Sequence, residues 1–122
     1  MATFDQVREI ALGFPDVEEV TAWGAPSFKV RGQMFTCIAT NKQAEPETLV
    51  VRMDFEQRDE LIAADPDVYY LKDHYLTYPC VLVRLARVHP DVLADLLGGA
   101  RRYVLAQKPK GSRAGGRTRR RQ

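Results

Sequence analysis

Apolar side chains first recur at helical spacing, at Phe4, Val7, Ile10, Ala11 and Phe14, with Asp5, Gln6, Arg8 and Glu9 on the opposite side. The pattern predicts an amphipathic helix starting near Phe4. Thr3 followed by Gln6 is a capping box that would begin it, and Gly13 and Pro15 end it. The period then drops to two. Residues 27–30 alternate polar and apolar, Arg31-Gly32 follows, and a second extended run starts at Gln33 and continues to Ala39. This is the pattern of a β-hairpin with a two-residue turn, in which Gly32 can take positive φ; an extended stretch at 18–21 precedes it. Residues 48–53 and 80–85 are β-branched and apolar and read as strands, with a shorter one at 68–71. Asp54 caps a predicted helix over Phe55–Ala64, with Phe55, Arg58, Leu61 and Ile62 on one face. Residues 72–79 read as a loop or a strand edge, because Pro79 cannot sit in a central strand. His89-Pro90-Asp91 opens a last, long helix with an apolar stripe from Val92 to Val104. Gly98-Gly99 lies inside that stripe and predicts a kink, or a close approach of the helix to the sheet.

The order α-β-β-β-β-α-β-β-α contains no βαβα repetition and no glycine-rich phosphate loop. It predicts an α+β fold: a two-layer sandwich of a largely antiparallel sheet with helices packed on one face. A chain of 122 residues is one domain, residues 1–106, followed by a tail, residues 107–122. The formal charge of +2 averages two unlike parts. Seven of the 18 basic residues and none of the 16 acids fall after residue 106, so the body carries net −5. The tail also has Gly111, Gly115, Gly116 and Pro109 and almost nothing apolar, and is expected to be disordered. No run approaches the ~18–20 apolar residues of a membrane span, and residues 1–10 lack the basic-then-apolar pattern of a signal peptide. A cytoplasmic monomer is expected. Cys37 and Cys80 lie in apolar surroundings without C-x-x-C or zinc spacing and read as buried thiols; a disulfide requires their strands to be neighbours.

Several stretches taken in order carry a resemblance. They are ALGFPDVEE at 11–19, WGAPSFKV at 23–30, Gly32 with Phe35, and the long closing helix. Over about residues 1–108 the chain resembles the MmcQ/YjbR family of small bacterial proteins. Trp23 stands where that family often has His, and Tyr78 where it often has Trp. The resemblance implies a CyaY-like (frataxin-like) fold and a DNA-binding role through a double-wing arrangement. Through members linked to antibiotic-resistance gene clusters, it also implies a sequestering role.

Four chemistries compete for these residues. DNA binding needs cations that neutralise phosphates. Lys29 and Arg31 at the hairpin and Lys42 in the 41–47 loop would form two wings, and Arg113, Arg117, Arg119, Arg120 and Arg121 would add non-specific contacts from the tail. A frataxin-like role needs a carboxylate ridge; Asp5, Glu9, Asp16, Glu18 and Glu19 are too spread out to make a dense one. An enzyme is not expected. The two histidines, His74 and His89, have no acid–base partner in the sequence pattern, since neighbouring Asp73 and His74 on a strand would point to opposite sides. No cofactor or metal site is expected. The remaining reading is a small-ligand or protein-binding module that uses an exposed sheet face, with Trp23, Phe28 and Tyr75 forming an apolar patch.

Overall fold

A computed structural model describes residues 2–22 and 24–107. Trp23 and the tail arginines Arg113, Arg117, Arg119, Arg120 and Arg121 lie outside the described residues.

The elements follow in the expected order. Helix α1 (Phe4–Leu12) opens the chain, and strands β1 (Val17–Ala22), β2 (Ala25–Val30), β3 (Gln33–Ile38) and β4 (Thr48–Arg52) come next. Helix α2 (Phe55–Ala64) leads to β5 (Tyr69–Tyr70), a 3-10 turn (Asp73–Tyr75), β6 (Cys80–Arg84) and α3 (Pro90–Ala106). The six strands form one antiparallel sheet in the order β1-β2-β3-β4-β6-β5. The chain leaves β4 through α2, skips one position to place β5, and returns to fill the gap with β6. This is a split crossover, so strands far apart in sequence share the centre of the sheet.

Local chemistry sets the boundaries. The Thr3 hydroxyl accepts from the Gln6 N–H at 3.3 Å, and the Gln6 side chain accepts from the Thr3 N–H at 3.0 Å, a reciprocal cap. Asp54 caps α2 by accepting from the Gln57 N–H at 2.8 Å. Arg31 and Gly32 join β2 to β3 with φ of 52° and 79°, the left-handed pair of a two-residue hairpin turn. Here Gly32 provides the conformational freedom the turn requires.

The main core lies between the sheet and the helices. Phe28, Phe35, Leu49, Leu93 and Leu97 are fully buried in it, each worth about 1.5–3 kcal/mol of apolar burial. A second, smaller cluster of Val50, Tyr70, Tyr75, Cys80 and Leu82 lies on the other face of the sheet. A bulge shapes that face. Between the Phe28–Thr36 and Lys29–Met34 pairs β3 carries one extra residue, so Phe35 and Thr36 are both fully buried on consecutive positions. The Thr36 hydroxyl is satisfied there by donating to the Val50 carbonyl at 2.7 Å.

Several expectations are corrected. Phe28 is not on an exposed sheet face. It is fully buried under α1, its ring 6.1 Å from that of Phe4, because strand alternation sends 28 and 30 toward the helices and 27 and 29 away. In α2 the buried member of the predicted face is Arg58, whereas Phe55 is 45% exposed. Of the two readings of residues 72–79, the strand edge drops out and the loop is observed, with a 3-10 turn at Asp73–Tyr75. Helix α3 runs unbroken through Gly98-Gly99 without pressing on the sheet: a Cβ on Gly98 would meet Arg102 and Phe14 at ordinary contact distances of 3.5 and 3.8 Å. The thiol reading, by contrast, needs no correction: Cys37 and Cys80 are free, on β3 and β6 with β4 between them.

Candidate functional site

The face of the sheet turned away from α1 and α3 is partly roofed. The loop between β3 and β4 and the segment around the 3-10 turn fold over it, and a cleft of about 790 Å³ opens between roof and sheet. Hydrogen bonds hold the roof in place. Arg58 reaches from α2 and donates to the Leu76 and Tyr78 carbonyls at 3.0 and 3.2 Å. The Gln43 side chain accepts the His74 N–H at 3.1 Å, which ties the loop to the turn. The base of the loop is pinned by Arg84, which binds Glu45 through two bonds of 2.9 and 2.8 Å and stacks over the Tyr70 ring at 4.2 Å. The Tyr70 hydroxyl meets Thr48 at 2.6 Å and accepts the Glu45 N–H at 2.8 Å. The guanidinium of Arg84 holds the Glu45 carboxyl below its ordinary value, so this bracket is charged at neutral pH.

Register sorts the cleft floor into rows. Ser27, Cys37, Val50 and Leu82 are successive partners across β2, β3, β4 and β6. Nearer the Arg31-Gly32 turn lie Lys29 paired with Met34, and Arg52 paired with Cys80. One row is therefore mainly apolar and its neighbour carries two cations. Arg52 donates to the Met34 carbonyl at 3.2 Å and lies 5.7 Å from the Tyr103 ring. His74, Tyr75 and Tyr78 contribute from the roof, with the His74 ring edge-on to Tyr75 at 4.8 Å. Burial pushes the thiols of Cys37 and Cys80 up to about 11, so both are protonated at neutral pH. Burial also raises the phenol of Tyr75.

Of the residues singled out in the sequence, Lys29, Cys37, His74, Tyr75, Tyr78 and Cys80 line the cleft. Phe28 does not, being on the other face. Arg31 and Lys42 are exposed and sit at opposite ends of β3, about 20 Å apart for a six-residue strand. They therefore sit on two separate loops, while Lys29, grouped with Arg31 in the hairpin wing, turns its side chain into the cleft. On the acidic side, Glu19 is engaged by Arg8 through bonds of 2.9 and 3.0 Å. Among the described residues no three His, Cys, Asp or Glu side chains form a group that could hold a metal ion. No helix among them is long and apolar enough to cross a membrane. Sequence reasoning counted Arg52 only among scattered basic residues of the body and read Cys37 and Cys80 only as buried thiols, without bringing them to one cleft, and it missed Met34. Strand alternation could have placed Arg52 beside Val50, but the bulge hides the common face of Met34 and Cys37.

Comparison with known proteins agrees with this architecture. Uncharacterised proteins of Mycobacterium bovis and Mycobacterium tuberculosis are each 33% identical to this chain over 122 residues, covering 90% of it and 92% of their own lengths. The crystal structure of Deinococcus radiodurans protein DR2400, a DUF419 domain, superimposes with a TM-score of 0.72 at 26% identity, covering 93% of this chain and 87% of that one. The YjbR family pattern matches residues 12–103, from the end of α1 through most of α3. That match takes in all six strands, the hairpin, α2 and most of α3, and the chain belongs to the YjbR family.

Proposed function

We propose that this protein is a non-enzymatic binding module that takes a small molecule into the cleft on the helix-free face of its sheet. The observation that carries the reading is the cleft itself. Its volume of about 790 Å³ falls in the range of ligand sites, roughly 300–1,000 Å³, and its walls combine apolar surface from Met34, Ala39 and Val50 with a few convergent polar groups. A binding role suits the chemistry better than catalysis. The two thiols are protonated, and among the described residues neither ring nitrogen of His74 is hydrogen-bonded to a nucleophile or a carboxylate. The test is a small-molecule fragment titration followed by amide NMR. Shifts should cluster on Met34, Ala39, Val50 and Tyr75, and Ala39→Trp, which fills the cleft, should abolish them. Shifts scattered over the helical face, or unaffected by Ala39→Trp, would refute the reading.

A second reading rests on the tail, where seven basic residues and no acid follow residue 106. Such a segment attracts DNA phosphates without sequence preference. In this reading the folded body contributes little to DNA affinity, because its wing cations are divided between the two ends of the sheet.

A further inference from the structure

We infer that the ligand of the cleft is an amphiphilic anion: a small aromatic or otherwise apolar molecule bearing a carboxylate, with the carboxylate set between Lys29 and Arg52. The inference rests on the cleft being the binding site and adds the chemical class of what it takes. Three observations support it. First, the cleft lining contains Lys29 and Arg52 and no Asp or Glu, although the folded body as a whole is net negative. A positively charged cleft on a negative body is a local preference for anions. Second, Arg52 has no carboxylate partner among the described residues, although its guanidinium lies 5.7 Å from the Tyr103 ring. Arg8, Arg58 and Arg84 each meet a carboxylate, at 2.9, 3.2 and 2.8 Å. Arg52 meets none among the described residues; its only hydrogen bond goes to a backbone carbonyl, and its Nε is buried with no partner. A guanidinium has five N–H donors in a planar fork that suits a carboxylate. Lys29 likewise forms no ion pair among the described residues, although Glu18 stands opposite it on β1.

Third, the rows give the ligand an orientation. Lys29 and Arg52 lie on the strands flanking Met34, about 10 Å apart at the backbone, a span that two long side chains can close on one anionic group. The adjoining row of Cys37 and Val50, roofed by Tyr75, offers apolar surface for the body of the molecule. The anionic head therefore points toward the Arg31-Gly32 turn and the apolar body toward the β3–β4 loop.

The test is calorimetric titration of the full-length protein with naphthoate, with its neutral counterpart naphthalenemethanol, and with inorganic phosphate. Naphthoate should bind at least about tenfold tighter than the alcohol, since hydrogen bonds to a charged group are the stronger class. Phosphate, which has no apolar body, should bind more weakly than naphthoate. Lys29→Gln and Arg52→Gln should each cost naphthoate about tenfold and leave the alcohol unchanged. Lys29 is only partly buried, so its variant keeps the test decisive if Arg52→Gln fails to fold. Equal binding of naphthoate and alcohol, with cleft resonances shifted by both, would overturn the anion preference and leave the cleft as a ligand site. Binding of neither would overturn both readings. A naphthoate preference that survives both substitutions would place the anion elsewhere and also overturn the inference.

Discussion

Cys37 and Cys80 look into the cleft from β3 and β6, and neither is poised to react. Burial raises both thiols from an ordinary value of 9.0 to about 11. The folded chain therefore keeps protons that the unfolded chain releases above pH 9, and stability falls as pH rises from about 9 to 11. Denaturant midpoints measured across that window should drop for the wild type. They should drop less for the Cys37→Ala/Cys80→Ala variant, whose remaining slope reports Tyr69 and Tyr75, also raised by burial. Equal slopes would mean that the thiols are not buried as described. Residue-scale chemistry also separates neighbours: Phe28 and Lys29 are adjacent in sequence, yet one is sealed in the main core and the other lines the cleft.

At the scale of elements, α3 holds an unused margin of stability. Gly98 and Gly99 lie in the middle of an unbroken seventeen-residue helix. A methyl group at either would meet ordinary contacts at most, 3.5 Å for Gly98 and 3.9 Å for Gly99. Glycine costs a helix about 1 kcal/mol relative to alanine, so Gly98→Ala and Gly99→Ala should each stabilise the fold by roughly 0.5–1 kcal/mol. Chemical denaturation would read this as a higher midpoint at unchanged slope. A lower midpoint would show that the missing side chains serve a close approach after all. The hairpin and both N-caps were legible from sequence because each depends on residues within three or four positions: Thr3 with Gln6, Asp54 with the start of α2, and Arg31 with Gly32. The roof was not legible. It depends on Arg58 reaching carbonyls eighteen and twenty residues away, and on Gln43 reaching His74.

At the scale of the molecule, charge is divided between an acidic body and a basic tail, and the cleft is a cationic site within that body. If the tail binds DNA, each phosphate contact contributes a slope of about −0.9 to log K against log salt concentration. A chain ending at Gln107 should then show a much flatter salt dependence than the full chain. An unchanged slope would show that the tail is not engaged. The same truncation should leave naphthoate binding in the cleft intact, which separates the two activities.

The sequence by itself determined the order of the elements, the α+β class and the charge division, because these follow from local periodicity, turn chemistry and composition, and its ordered motifs carried the resemblance to the family. It did not determine which residues share a face across strands. The split crossover places β6 between β4 and β5, so Cys80 comes beside Arg52 across a gap of twenty-eight positions. The bulge at Phe35 then shifts the alternation, so Met34 and Cys37 share the open face three residues apart. Lys29, Arg52 and the apolar row beside them become one cleft only through that register, which is a property of strand pairing and not of any single stretch of chain.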